Sequence, residues 1–165
     1  MGTGGLFLRR LRARVADEPT GFVWVEKARL AGSGYPASRS QVEWLVQVGV
    51  NSILTLTPDP LPSDYTEGLD VVVDHVPMAD HQPPPIEAMA RAVEFLDEQL
   101  RDGRTAVVHC LAGEGRTGCV LAAYLIRARN ISADDALSIL RKAKPEFVEP
   151  RQEQAVRDFA SSRKT

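Results

Sequence analysis

The spacing of apolar residues changes several times along the chain, and each change marks an element. Phe22-Val23-Trp24-Val25 opens a β-like run, and Ala28-Arg29-Leu30-Ala31 follows before the breaker stretch Gly32-Ser33-Gly34-Tyr35-Pro36. Val42, Trp44, Leu45 and Val48 then recur at helical spacing, which predicts a helix capped near Ser38 or Ser40 and stopped at Gly49. Residues 52–57 form an apolar, β-rich run of the kind that makes a buried strand. A loop is expected over 58–68 and another strand over 69–76. A second loop, 77–85, ends in three prolines, the last of which starts a helix that runs to Arg101, with Gly103 just beyond. Ile86, Met89, Ala90, Val93, Leu96 and Leu100 give that helix an apolar face. Residues 105–108 read as a short strand. After it come a glycine-punctuated loop, a helix over about 116–129, a Ser132-capped helix to about Lys142 and a last helix from about Arg151. Strands alternating with helices predict an α/β fold: one domain with a central twisted, mostly parallel sheet of about five strands and helices on both faces. In such sheets the site lies at the C-terminal ends of the strands.

Length and charge narrow the functional classes. A chain of 165 residues suits one domain with a substantial core. Its 20 basic and 22 acidic residues leave a net charge of −2, so no nucleic-acid partner is expected. No apolar run approaches the roughly 20 residues that span a bilayer. Leu6-Phe7-Leu8 precedes Arg9, Arg10, Arg12 and Arg14, the reverse of the order in a secretory signal. Residues 1–20 are therefore expected to be a basic arm, residues 21–165 the functional domain, and the chain cytoplasmic and monomeric. Two cysteines, Cys110 and Cys119, make neither a disulfide framework nor a zinc cluster, and His75, His81 and His109 lack metal-ligand spacing. Neither a metal nor a cofactor is expected. A reactive cysteine remains as the sharper option.

The segment His109-Cys110-Leu111-Ala112-Gly113-Glu114-Gly115-Arg116-Thr117-Gly118 carries that option. A strand delivers the cysteine to a tight loop, and the loop enters the N-terminus of a helix. Successive backbone N–H groups then face one concavity, and the positive helix end favours an anion. Cysteines in such a field, beside a guanidinium, ionise below the ordinary thiol value of about 8.5, so Cys110 is expected to be nucleophilic. Arg116, six residues on, is placed to fold back and grip two phosphoryl oxygens with its planar fork. Cys119 lies a turn into the helix and is expected to be a core residue.

This segment resembles the HCxxGxGR[ST]G signature of the protein tyrosine phosphatase superfamily. Beyond the loop, Arg29-Leu30-Ala31-Gly32, Gly49-Val50, residues 52–57 and Gln152-Glu153-Gln154-Ala155-Val156 are similar to the small atypical dual-specificity phosphatases, over about residues 22–160. The resemblance implies a phosphatase domain that works through a phosphocysteine on phosphotyrosine in proteins, with phosphoserine and phosphothreonine as further candidates. It makes Cys110 the nucleophile and Arg116 the phosphoryl clamp, with Leu111, Ala112, Gly113, Glu114 and Gly115 as the binding loop. Thr117 would hydrogen-bond the sulfur in the second step, and His109 would hold the loop from outside it. Asp80, thirty residues before Cys110 and shortly before prolines, matches the position of the family's general acid, with Asp74 as the alternative. Gln152 would position water or, the expected case, be a surface glutamine.

Glu114 departs from the pattern, since it puts an acid inside an anion-binding loop that has no lysine. Both features are expected to disfavour strongly anionic ligands such as phosphoinositides. Other readings stay open on sequence: the same chemistry on a small phosphorylated metabolite or an RNA 5′ end, a phosphate-binding module without turnover, and a sulfurtransferase with a similar anion loop.

Overall fold

In the computed structural model, which describes residues 17–163, five strands form one sheet in the order β1-β2-β5-β3-β4. The strands are β1 (Val23–Glu26), β2 (Leu30–Ser33), β3 (Ser52–Thr55), β4 (Val72–His75) and β5 (Ala106–His109). Only β1 runs antiparallel, against β2; the β2–β5, β5–β3 and β3–β4 pairs are parallel. The helices are α1 (Arg39–Gln47), α2 (Ile86–Arg101), α3 (Gly115–Arg129), α4 (Ala133–Ala143) and α5 (Glu153–Ser162). The expected architecture is thus the observed one. The basic arm falls largely on residues 1–16, outside the described residues.

Successive side chains of the central strands go to opposite faces, as the pleat requires. Leu30, Leu54, Ala106 and Val108 join one core cluster together with residues of α2, α3, α4 and α5. Ala31, Ile53 and Val107 join a second cluster with Val42 and Leu45 of α1. Burial on both faces explains why β2, β3 and β5 read as continuous apolar runs rather than alternating ones. The helix starts follow local capping chemistry. The Ser38 hydroxyl accepts from the Gln41 N–H, and the Ser132 hydroxyl accepts from the Asp135 N–H.

Three elements differ from the sequence expectation. Strand β2 continues through Gly32 and Ser33, in the supposed breaker stretch. There α3 packs so closely that a Cβ on Gly32 would meet Leu121 and Thr117 at 3.1 Å, so the glycine serves a close approach. Strand β4 is only four residues long, because Leu69 and Val71 sit in turns after a 3-10 turn at Ser63–Tyr65. The last helix begins at Glu153 after a separate 3-10 turn, Pro150–Gln152.

Candidate active site

Strand β5 ends at His109, and the next residue is Cys110, at the C-terminal edge of the sheet. The chain then turns through residues 110–114 into α3, whose first residue is Gly115. Gly113 makes that turn with φ 71°, in the left-handed region, and packs directly on the Ser33–Gly34 backbone, where no Cβ fits. The loop is thereby pressed onto the end of β2. Gly34 and Tyr35 complete the seam: the Tyr35 N–H donates to the Leu111 carbonyl at 3.0 Å.

His109 is fully buried and fixed at both ring nitrogens. Its Nδ1–H donates to the Cys110 carbonyl at 3.2 Å, and its Nε2 accepts from the Thr55 hydroxyl at 2.9 Å. The Tyr35 ring packs edge-on against it, with centroids 5.7 Å apart. Burial, assisted by the Arg116 charge, pushes the His109 pKa down to about 4, so the imidazole is neutral and acts as a fixed strut. His109 does not line the recess that Cys110 shares with Arg116.

Arg116 is 2% exposed. Its Nη1 donates to the Met78 carbonyl at 3.1 Å, and its Nη2 lies 2.9 Å from Asp80 Oδ1. Both contacts belong to the 77–85 loop, so the guanidinium ties the loop carrying Asp80 to the loop carrying Cys110. Asp80 Oδ1 also accepts from the His81 N–H at 2.9 Å. Asp80, Cys110, Glu114, Arg116 and Gln152 together line a recess of about 110 Å³. Asp74 is not among its lining residues. Its carboxylate instead accepts from the adjacent His75 N–H on β4.

The structure corrects the expectation of a surface Gln152. That side chain is 1% exposed. Its Nε2 donates to the Gln82 carbonyl of the Asp80 loop at 3.2 Å, and its Oε1 is buried without a partner beside Gly115. The 3-10 turn carrying it therefore faces the site, an orientation that no local sequence pattern encodes. The Thr117 hydroxyl is also buried and unpartnered. Cys119 is fully buried as expected, and burial pushes its thiol up to about 12.

Further site residues went unread in the sequence. A groove of about 360 Å³ adjoins the recess, with Tyr35, Pro58 and Leu111 giving it an apolar wall and Asp59 and Asp80 supplying acid. Pro58 and Asp59 follow β3, and that placement beyond a parallel strand was the available signal. His81 accepts at Nδ1 from Arg151 Nη2 at 2.9 Å, which links the Asp80 loop to the Pro150–Gln152 turn a second time. Lys144, after α4, reaches the loop from outside: its Nζ donates to the Gly113 carbonyl at 3.0 Å and lies 3.9 Å from Glu114 Oε1. A lysine absent from the loop sequence is thus present behind the loop, though it does not line the recess.

A thiol, a buried guanidinium and a carboxylate converging where a strand meets a helix N-terminus define a class of site, a Cys-x5-Arg loop at the edge of a mostly parallel sheet. Family comparison agrees with that class. Residues 19–157 match the model described as PTP-SAK, Swiss Army Knife protein, DSP-PTPase phosphatase domain, and the chain belongs to this family. It is 31% identical over 112 residues to the human dual specificity protein phosphatase 9, covering 67% of this chain and 29% of that protein. Over 111 residues it is 32% identical to the phosphatidylglycerophosphate phosphatase PTPMT1 of Arabidopsis thaliana, covering 64% of this chain and 33% of that protein. The chain thus spans about a third or less of these relatives. Among solved structures, Tk-PTP in its active form superposes with a TM-score of 0.77 at 28% identity, covering 85% of this chain and 96% of that one.

Proposed function

We propose that the chain hydrolyses phosphomonoesters through a phosphocysteine intermediate, with phosphotyrosine in proteins as the main substrate and phosphoserine and phosphothreonine as further ones. The observation that carries this reading is the convergence on one recess of Cys110, the buried Arg116 and Asp80, the last two 2.9 Å apart. In the first step the Cys110 sulfur attacks phosphorus as the ester P–O bond breaks, and the leaving oxygen takes a proton from Asp80. In the second, water attacks the phosphocysteine, Asp80 accepts a proton from it, and the S–P bond breaks to release phosphate and the thiolate. The Arg116 fork and the backbone N–H groups at the start of α3 neutralise the phosphoryl oxygens in both steps. The buried Thr117 hydroxyl has no partner in the fold, and in this scheme its acceptor is the sulfur of the departing thiolate.

The apolar wall formed by Tyr35, Pro58 and Leu111 favours an aromatic leaving group, and Leu111 is 62% exposed at its edge. In the same groove Asp80 is paired with Arg116, and Asp59 is the acid that disfavours a polyanionic headgroup. A second reading, hydrolysis of a phospholipid phosphomonoester, draws on the Arabidopsis relative and on Lys144, which offsets the Glu114 charge. Turnover of a phosphotyrosine peptide, a phosphoserine peptide and micellar phosphatidylglycerophosphate separates the two. The protein reading predicts a kcat/KM for the phosphotyrosine peptide at least about tenfold above that for the lipid. The reverse order would assign the lipid, and loss of all three activities in Cys110→Ser is expected in either case.

A further inference from the structure

Lys144 belongs to no recognised part of the signature, yet it is the cation that touches the loop from behind. It is the residue on which α4 ends. Its N–H donates to the Leu140 carbonyl at 2.8 Å, and its own carbonyl accepts from the N–H of the buried Phe147 at 3.0 Å. The backbone is thus fixed at both groups. The side chain passes the Phe147 ring, with Nζ 5.5 Å from the centroid, and is only 15% exposed. Room for it comes from Gly21, where a Cβ would sit 2.9 Å from Nζ. A lysine held this way loses rotamer freedom, and the charge-assisted bond to the Gly113 carbonyl is what it gains.

The position of Nζ acts on the loop in two ways. A trans peptide is planar, with its C=O and N–H antiparallel. Holding the Gly113 carbonyl toward Lys144 turns the Glu114 N–H the other way, toward the recess that Glu114 lines and Lys144 does not. The 3.9 Å approach to Glu114 Oε1 also sets a positive charge against the acid that otherwise opposes an anion in this loop. Gly113 itself, with its left-handed φ of 71°, is held on its other side by packing on the Ser33 and Gly34 backbone, so Lys144 completes its fixation.

We propose that Lys144 is a positioning residue of the anion loop: it sets the orientation of the Gly113–Glu114 peptide and cancels the Glu114 charge, so that the loop takes up a phosphoryl dianion despite containing an acid. This rests on the phosphatase reading of the same loop. The probe is inorganic phosphate, measured by calorimetric binding and as a competitive inhibitor, on wild type, Lys144→Met, Lys144→Arg, Glu114→Gln and the double variant Lys144→Met/Glu114→Gln. Lys144→Met is expected to weaken phosphate about tenfold, the scale of one hydrogen bond from a charged donor, and to raise KM more than it lowers kcat. Lys144→Arg should stay within about twofold of wild type, because it keeps charge and donor. The double variant should recover part of the affinity, since removing Glu114 removes the charge to be cancelled. Thermal melts establish that each variant is folded. If Lys144→Met does not fold, Lys144→Gln, which keeps an N–H donor but no charge, must still bind phosphate more weakly than Lys144→Arg. Wild-type affinity in Lys144→Met, or no rescue by arginine in a folded protein, overturns the role of Lys144 alone. Failure of wild type to bind phosphate overturns the loop reading beneath it.

Discussion

Both thiols are buried, Cys110 with 3% of its surface exposed and Cys119 with none, but only Cys110 opens onto a recess. Cys119 points into the core, fully buried, with its thiol pushed up to about 12. Cys110 lines the recess with Arg116. Brief iodoacetamide treatment of the native protein at pH 8 is therefore expected to add one label, at Cys110, and a second only after denaturation. Mass spectrometry of the peptides checks this, and a native adduct on Cys119 would contradict the packing of α3. His109 gives a pH dependence with a definite sign. Its pKa falls from about 6.5 in the unfolded chain to about 4 in the fold, so between those values only the unfolded chain binds the proton. Stability is fully present above pH 6.5 and is lost as pH falls toward 4, by up to about 3 kcal/mol. Urea unfolding at pH 7, 5.5 and 4.5 should show a shallower decline for His109→Gln than for wild type, and parallel declines would contradict a buried neutral imidazole.

At the scale of elements, what could be read from the sequence was whatever local chemistry determines. Ser38 and Ser132 cap helices because their hydroxyls satisfy backbone donors within three residues, and the strand–loop–helix around Cys110 announces itself by glycine placement. Gln152, legible only through the family resemblance, and Lys144, not legible at all, owe their places to a different cause. Each reaches the loops only because α3, α4 and α5 pack on one face of the sheet, and no local signal encodes that meeting. The position of Gln152 has a functional consequence. Its bond to the Gln82 carbonyl, with the Arg151–His81 bond beside it, fastens the Asp80 loop to the Pro150–Gln152 turn. Gln152→Ala is expected to lower kcat about tenfold, the scale of removing one buried hydrogen bond, while the inhibition constant for phosphate stays within about twofold. A variant that loses phosphate affinity instead would place the glutamine's role in the anion loop rather than in holding Asp80.

For the whole molecule, the β1-β2-β5-β3-β4 order puts β5 at the centre, with the loops after β2 and β3 on either side. Tyr35, Pro58 and Asp59 thus meet Leu111 and Arg116 across the same edge. Family and fold were legible because the signature loop and the strand–helix alternation agree. The groove was not, because it arises from strand order. In the proposed chemistry Arg116 and a helix N-terminus neutralise the phosphoryl group, which calls for no metal. Activity is accordingly expected to persist in EDTA and to fall with vanadate, and loss on chelation would contradict the proposed chemistry. The most direct test of the central claim is hydrolysis of p-nitrophenyl phosphate from pH 4 to 9 by wild type, Cys110→Ser and Asp80→Asn. Cys110→Ser is expected to be inert, and Asp80→Asn to be slow and to have lost the basic limb of the wild-type profile. Turnover that survives in Cys110→Ser, or a wild type that binds vanadate yet leaves the ester intact, would contradict the claim.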